Sequence, residues 1–122
     1  MEMEKKNYDL QERLIEFTIC CIYISERIPK TYSGIYYSGQ LVRSSGSASL
    51  NYGEVQSAES RKDFIHKVKV VLKELRETNI NLTIIYRKPF LQSDEVKKAI
   101  KEVDELISIF VSSINTASKN NK

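Results

Sequence analysis

Residues 60–87 read SRKDFIHKVKVVLKELRETNINLTIIYR. Phe64, Ile65, Val68, Val71, Leu72, Leu75, Leu82 and Tyr86 recur there at steps of three and four, drawing one apolar stripe along a helix. Ser60 stands where an N-cap is wanted, and Asp63, three residues on, completes a possible capping box. Pro89 marks the break. The period predicts a helix over 60–87, and with it an all-α fold.

The same reading extends in both directions. Downstream, Ser93 can cap a helix over 93–118, with Asp94 and Glu95 in the first turn, where the helix dipole favours acids. Its stripe is Val96, Ile100, Val103, Ile107, Phe110 and Ile114. Upstream, a helix over 35–58 would bury Tyr37, Leu41, Ser45, Ala48, Tyr52 and Val55. Its middle, Ser44-Ser45-Gly46-Ser47-Ala48-Ser49, has poor helix propensity, so a partner helix must supply bulk or approach closely. The first helix runs over 9–27, with Asp9 as N-cap, Glu12 closing a capping box, and Leu10, Leu14, Phe17, Cys21, Ile24 and Ile28 on one face. Pro29 ends it, and Pro29–Gly34 links it to the second helix. The tail, Lys119–Lys122, is polar and expected to fray. Four amphipathic helices with short links predict an up-and-down antiparallel four-helix bundle, one domain over 1–122.

Composition removes several function classes. Only four glycines and two prolines are present, which favours long helices over a turn-rich β fold. No stretch approaches the roughly 20 apolar residues of a membrane span. The first nine residues alternate acids and lysines without an apolar signal core, so a cytoplasmic location is expected by default. Cys20 and Cys21 are adjacent, which suits neither a disulfide framework nor metal-ligand spacing; small, buried, reduced thiols are expected. His66 is the only histidine, no Glu-x-x-His pair occurs, and the glycines form no phosphate loop. No nucleophile, base or metal set can be assembled, so neither a cofactor nor an enzymatic activity is expected.

Two surface patterns remain. The first helix carries a second apolar line, Ile15, Ile19 and Ile22, roughly opposite Leu14 and Phe17. In the third, Ile80 and Ile84 fall opposite Leu75 and Leu82. Either the first helix is buried all round, or these residues form an oligomer interface; a four-helix bundle has no central helix, which favours self-association.

The other pattern is charge. Net charge is only +3, yet residues 60–88 hold eight Lys/Arg against three Asp/Glu, while residues 91–118 hold three against five. Lys62, His66, Lys69, Lys73 and Arg76 follow each other by four, three, four and three, a line of cations suited to phosphates. The alternative is a solvated face with i,i+4 partners such as Lys73–Glu77. On the second helix Arg43, Ser47, Asn51 and Glu54 form a polar line that either contacts a ligand or fixes register; Asn51 and Glu54 share a turn and could bond.

The segment 41–78, LVRSSGSASLNYGEVQSAESRKDFIHKVKVVLKELRET, resembles the four-helix bundle proteins encoded in intervening sequences of bacterial 23S ribosomal RNA genes, the S23-type proteins. Arg43-Ser44-Ser45, Ser47, Asn51-Tyr52 with Glu54, Glu59-Ser60, Asp63-Phe64-Ile65 and Lys73–Thr78 carry the likeness. Asp9-Leu10 and Ile109–Ile114 extend it over nearly the whole chain. The resemblance implies a homopentamer and an RNA- or ribosome-associated role, and carries no catalytic residues. The family is also similar in shape to the accessory variability determinant of diversity-generating retroelements, a basic pentameric barrel that binds nucleic acid and a reverse transcriptase. This chain departs from that protein in its modest charge. The expectation is a non-enzymatic oligomeric scaffold whose Lys62, His66, Lys69, Lys73 and Arg76 face touches RNA or a nucleic-acid enzyme, with Arg61 and Lys67 nearby. The alternative is a structural or protein-interaction oligomer with no nucleic-acid role.

Overall fold

Hydroxyl caps start three of the four helices. In the computed structural model, which describes residues 2–119 with side chains from residue 10 onward, the Thr31 side chain accepts the Gly34 N–H at 3.1 Å and Ser60 accepts that of Asp63 at 3.0 Å. Ser93 accepts that of Val96 at 3.4 Å. The helices are α1 (Glu2–Glu26), α2 (Tyr32–Val55), α3 (Arg61–Arg87) and α4 (Asp94–Lys119). No strand occurs among the described residues.

Three boundaries differ from expectation. Residue 9 lies inside α1, so Asp9 is no N-cap: the preceding residues are mostly Glu, Met and Lys, which favour helix. α2 starts and ends three residues earlier than its stripe suggested, because Thr31 caps it and Gly34 belongs to its first turn. The capping box at α3 is also offset, since the Asp63 carboxylate accepts the Glu59 N–H at 3.1 Å rather than that of Ser60. Beyond Lys119 the expected fraying falls outside the described residues.

Cross-helix bonds give the topology. Gln11 donates to the Ser49 carbonyl and Ser38 to that of Ser25, so numbers rise on α1 as they fall on α2. Arg13 meets Glu102 while Arg27 meets Glu95, and α4 also runs against α1. α2 packs on α3 and α3 on α4; α1 and α3 occupy opposite corners of the square. This is an up-and-down arrangement of four helices.

Most of the expected stripes point inward. Leu14, Phe17, Cys21 and Ile24 are buried from α1, Ile28 just beyond its end, and Val68, Val71, Leu72, Leu75 and Leu82 from α3. In α4 the buried seam is Val96, Ala99, Val103, Leu106 and Phe110. Ile100, Ile107 and Ile114 are turned aside and only partly covered. The small run in α2 works by close approach. On its α1 side, Thr18 Oγ1 lies 2.9 Å from the Ser45 carbonyl and 2.7 Å from Ser49 Oγ. On its α3 side, the Ser44 and Thr78 hydroxyls are 2.8 Å apart, and Asn81 donates to Ser44 at 3.3 Å. No buried side-chain nitrogen or oxygen among the described residues lacks a hydrogen-bond partner.

Candidate interaction surfaces

With Val68, Val71, Leu75 and Leu82 turned into the bundle, α3 leaves Lys62, His66, Lys69, Lys73 and Arg76 exposed. They are not equivalent. Lys73 Nζ lies 3.0 Å from Glu77 Oε2 and 4.0 Å from Glu74, and the Glu77 hydrogen bond raises its pKa. Glu77 is correspondingly lowered, by Lys73 first and then Arg43. Lys62, Lys69 and Arg76 have no acidic partner among the described residues.

The line also straddles two grooves. His66 turns toward α2 and lines a shallow hollow with Asn51, Glu54, Lys67 and Val70. Lys69, Lys73 and Arg76 flank a groove of about 350 Å³ toward α4, whose floor includes Leu72, Val111 and Ile114. Arg61 lies farther round, in another hollow toward α4. Lys67 Nζ is held at 3.1 Å by Asp63.

The polar line on α2 leans toward α3. Arg43 reaches across to α3 and pairs with Glu74 at 3.3 Å and with Glu77. Asn51 donates to the Ser47 carbonyl at 2.8 Å and not to Glu54. The line therefore ties α2 to α3 at Arg43, and the expected Asn51–Glu54 bond is not formed.

The second apolar lines stay outside. Ile15 and Ile19 on α1 are 37% and 38% exposed, and Ile22 is partly covered. Burial of α1 all round is thus excluded within one chain. On α3, Ile80 is 60% exposed and Ile84 partly covered. Because α1 and α3 are diagonal, the two groups lie on opposite sides of the molecule rather than in one patch. The structure adds α2 residues that the sequence reading left out: Ile35, Val42 and Leu50, the last 76% exposed. The seven-residue step from Ile35 to Val42 was the available signal, masked by the serines and glycines around it.

The thiols offer no reactive group. Cys21 is fully buried and Cys20 half-buried, and burial raises both pKa values. His66 is on the outer side of α3, away from both. Among the described residues no cluster of His, Cys, Asp or Glu could hold a metal ion, and no helix is long and apolar enough to cross a membrane.

A model of the family described as 23S rRNA-intervening sequence protein matches residues 6–112. The chain belongs to that family. A crystal structure of a protein with unknown function from the S23 ribosomal protein family of Bacteroides thetaiotaomicron superposes with a TM-score of 0.78 at 25% identity, covering 86% of this chain and 97% of that one. Comparison with curated proteins gives no match.

Proposed function

We propose that this intervening-sequence protein is a non-enzymatic scaffold that works as an assembly of its own copies. The supporting observation is apolar surplus. The core is already filled and its polar groups are satisfied, yet Ile15, Ile19, Ile35, Val42, Leu50 and Ile80 stand in water. Burying one such side chain is worth about 1.5–3 kcal/mol, so a few of them suffice to drive association. Closed rings and dimers are the usual outcome for soluble chains of this kind, and the five-fold ring implied by the family resemblance is one of them. The test is the mass of the native chain by sedimentation equilibrium. A multiple of 14.1 kDa is expected; a single subunit at micromolar concentration would sink the proposal.

A second reading, RNA contact through α3, is favoured by one observation. Lys62, Lys69 and Arg76 carry charges that no acid among the described residues answers. Repetition in an assembly would multiply a weak stripe by avidity. This reading expects structured RNA to bind with affinity that falls steeply with salt. Unchanged binding in Lys69→Ala/Lys73→Ala/Arg76→Ala would remove the stripe from that role.

A further inference from the structure

The outward face of α1 mixes acids with apolar groups. Glu12, Ile15, Glu16, Ile19, Tyr23 and Glu26 are all exposed there. None of these three glutamates has an ion-pair partner among the described residues. The cation of this stretch, Arg13, is turned to α4 and held by Glu102 and Glu105. The outward face of α3 has the same composition with the sign reversed: Lys62, His66, Lys69, Lys73 and Arg76, then Ile80 and Ile84, then Arg87.

Heights along the bundle can be compared through α2. Thr18 touches Ser45 and Ser49, while Arg43 and Ser44 touch Glu74, Glu77 and Thr78. Near one end Gln11 bonds to Ser49 and passes Gly53, and the same part of α2, Asn51 and Glu54, flanks His66 and Val70. Toward the other end Ser25 bonds to Ser38, and Tyr37 stacks near Phe90. Glu12 and Glu16 therefore stand level with Lys69 and Lys73. Ile22 and Tyr23 stand level with Ile80, and Glu26 with the segment from Ile84 to Arg87. Acid faces base toward the Gln11 end and apolar faces apolar at Ile80, while Ile15 and Ile19 stand level with the stretch from Lys73 to Arg76, against whose aliphatic stems they can pack.

α1 and α3 run in the same direction at opposite corners. A second copy, turned about an axis parallel to the helices and not shifted along it, brings its α3 level with this chain's α1. We propose that the outward face of α1 docks in parallel on the outward face of α3 of a second copy. The contact is head-to-tail, so it leaves an α3 face and an α1 face free at its two ends and closes by forming a ring. It rests on the self-association proposed above and names the surfaces that perform it. A phosphate backbone would find partners only on the cationic half of the α3 line and would leave Ile80 uncovered, whereas α1 offers both acids and apolar side chains.

Charge reversal tests the pairing. Lys69 and Arg76 have no acid partner within the described chain, so reversing them disturbs no ion pair there. Glu12→Lys/Glu16→Lys and Lys69→Glu/Arg76→Glu should each weaken association by roughly a hundredfold, because like charges then face each other. Circular dichroism should report unchanged helix content. Combining all four substitutions should restore the mass seen for the native chain. A native chain that is itself a single subunit would overturn the scaffold reading. A native assembly whose mass neither reversal alters would overturn this contact alone, as would failure of the combined variant to reassemble. Loss of RNA binding in Lys69→Glu/Arg76→Glu without any change of mass would also overturn it and give the stripe to RNA.

Discussion

A glycine's value depends on what stands where its side chain would be. At Gly34 a Cβ would come within 2.1 Å of the Pro29 carbonyl oxygen, which is backbone and cannot step aside cheaply. Gly34→Ala should therefore cost about 1–3 kcal/mol by urea denaturation. At Gly46 a Cβ would meet nothing within 4 Å. Gly46→Ala should add up to about 1 kcal/mol by the same measurement, since a helix-interior glycine is costly in entropy. It should leave the assembly mass unchanged, because the proposed contact does not use α2. Asp63 supplies a pH effect. The Glu59 N–H, followed by Lys67, holds its carboxyl below the ordinary value of 3.8. A carboxylate depressed on folding stabilises above its unfolded pKa, and that contribution is lost as pH falls through the folded one. The native chain should melt above Asp63→Asn at neutral pH, and the gap should shrink as pH falls below the ordinary value of 3.8.

Between elements, the seam of α2 and α3 is polar in its middle. Thr78 and Asn81 both donate to the Ser44 hydroxyl there, and Glu74, paired with Arg43, is nearly covered. Thr78→Val keeps the shape and removes the hydroxyl, leaving Ser44 without the bond that Thr78 donates. A loss of about 1–3 kcal/mol in chemical denaturation is expected. Adding Ser44→Ala should cost less than the two single changes summed, because the pair acts as a unit. The sequence reading of α3 took Leu75 and Leu82 for the core and passed over Thr78 and Asn81 between them. Hydropathy ranks those two as surface residues. Only the closeness that the small α2 side chains permit makes them interior.

For the whole molecule, the decisive quantity is how much apolar surface one copy leaves in water. Ile15→Glu/Ile19→Glu should lower single-chain stability by about 1–3 kcal/mol, because the two side chains are only 37% and 38% exposed, while helix content is kept. Sedimentation should nevertheless show the assembly lost; retention of the native mass would mean that these residues lie outside any interface. Four helices, their order and most of their buried faces were legible in the periodicity of Leu14, Phe17, Cys21, Val68, Leu75, Val103 and Phe110, because a step of three or four residues maps directly onto one side of a helix. The second apolar lines and the cationic line were legible for the same reason. Whether Ile15 and Ile80 share a surface was not, since their helices had first to be placed at opposite corners. The Lys73–Glu77 pair was legible as an i,i+4 possibility, but not that Lys69 and Arg76 have no acid partner among the described residues. Periodicity fixes which way a side chain points from its own axis. What stands opposite it is set by how the axes pack, and on that packing depend the partners of Arg43, the burial of Thr78 and the matching heights of α1 and α3.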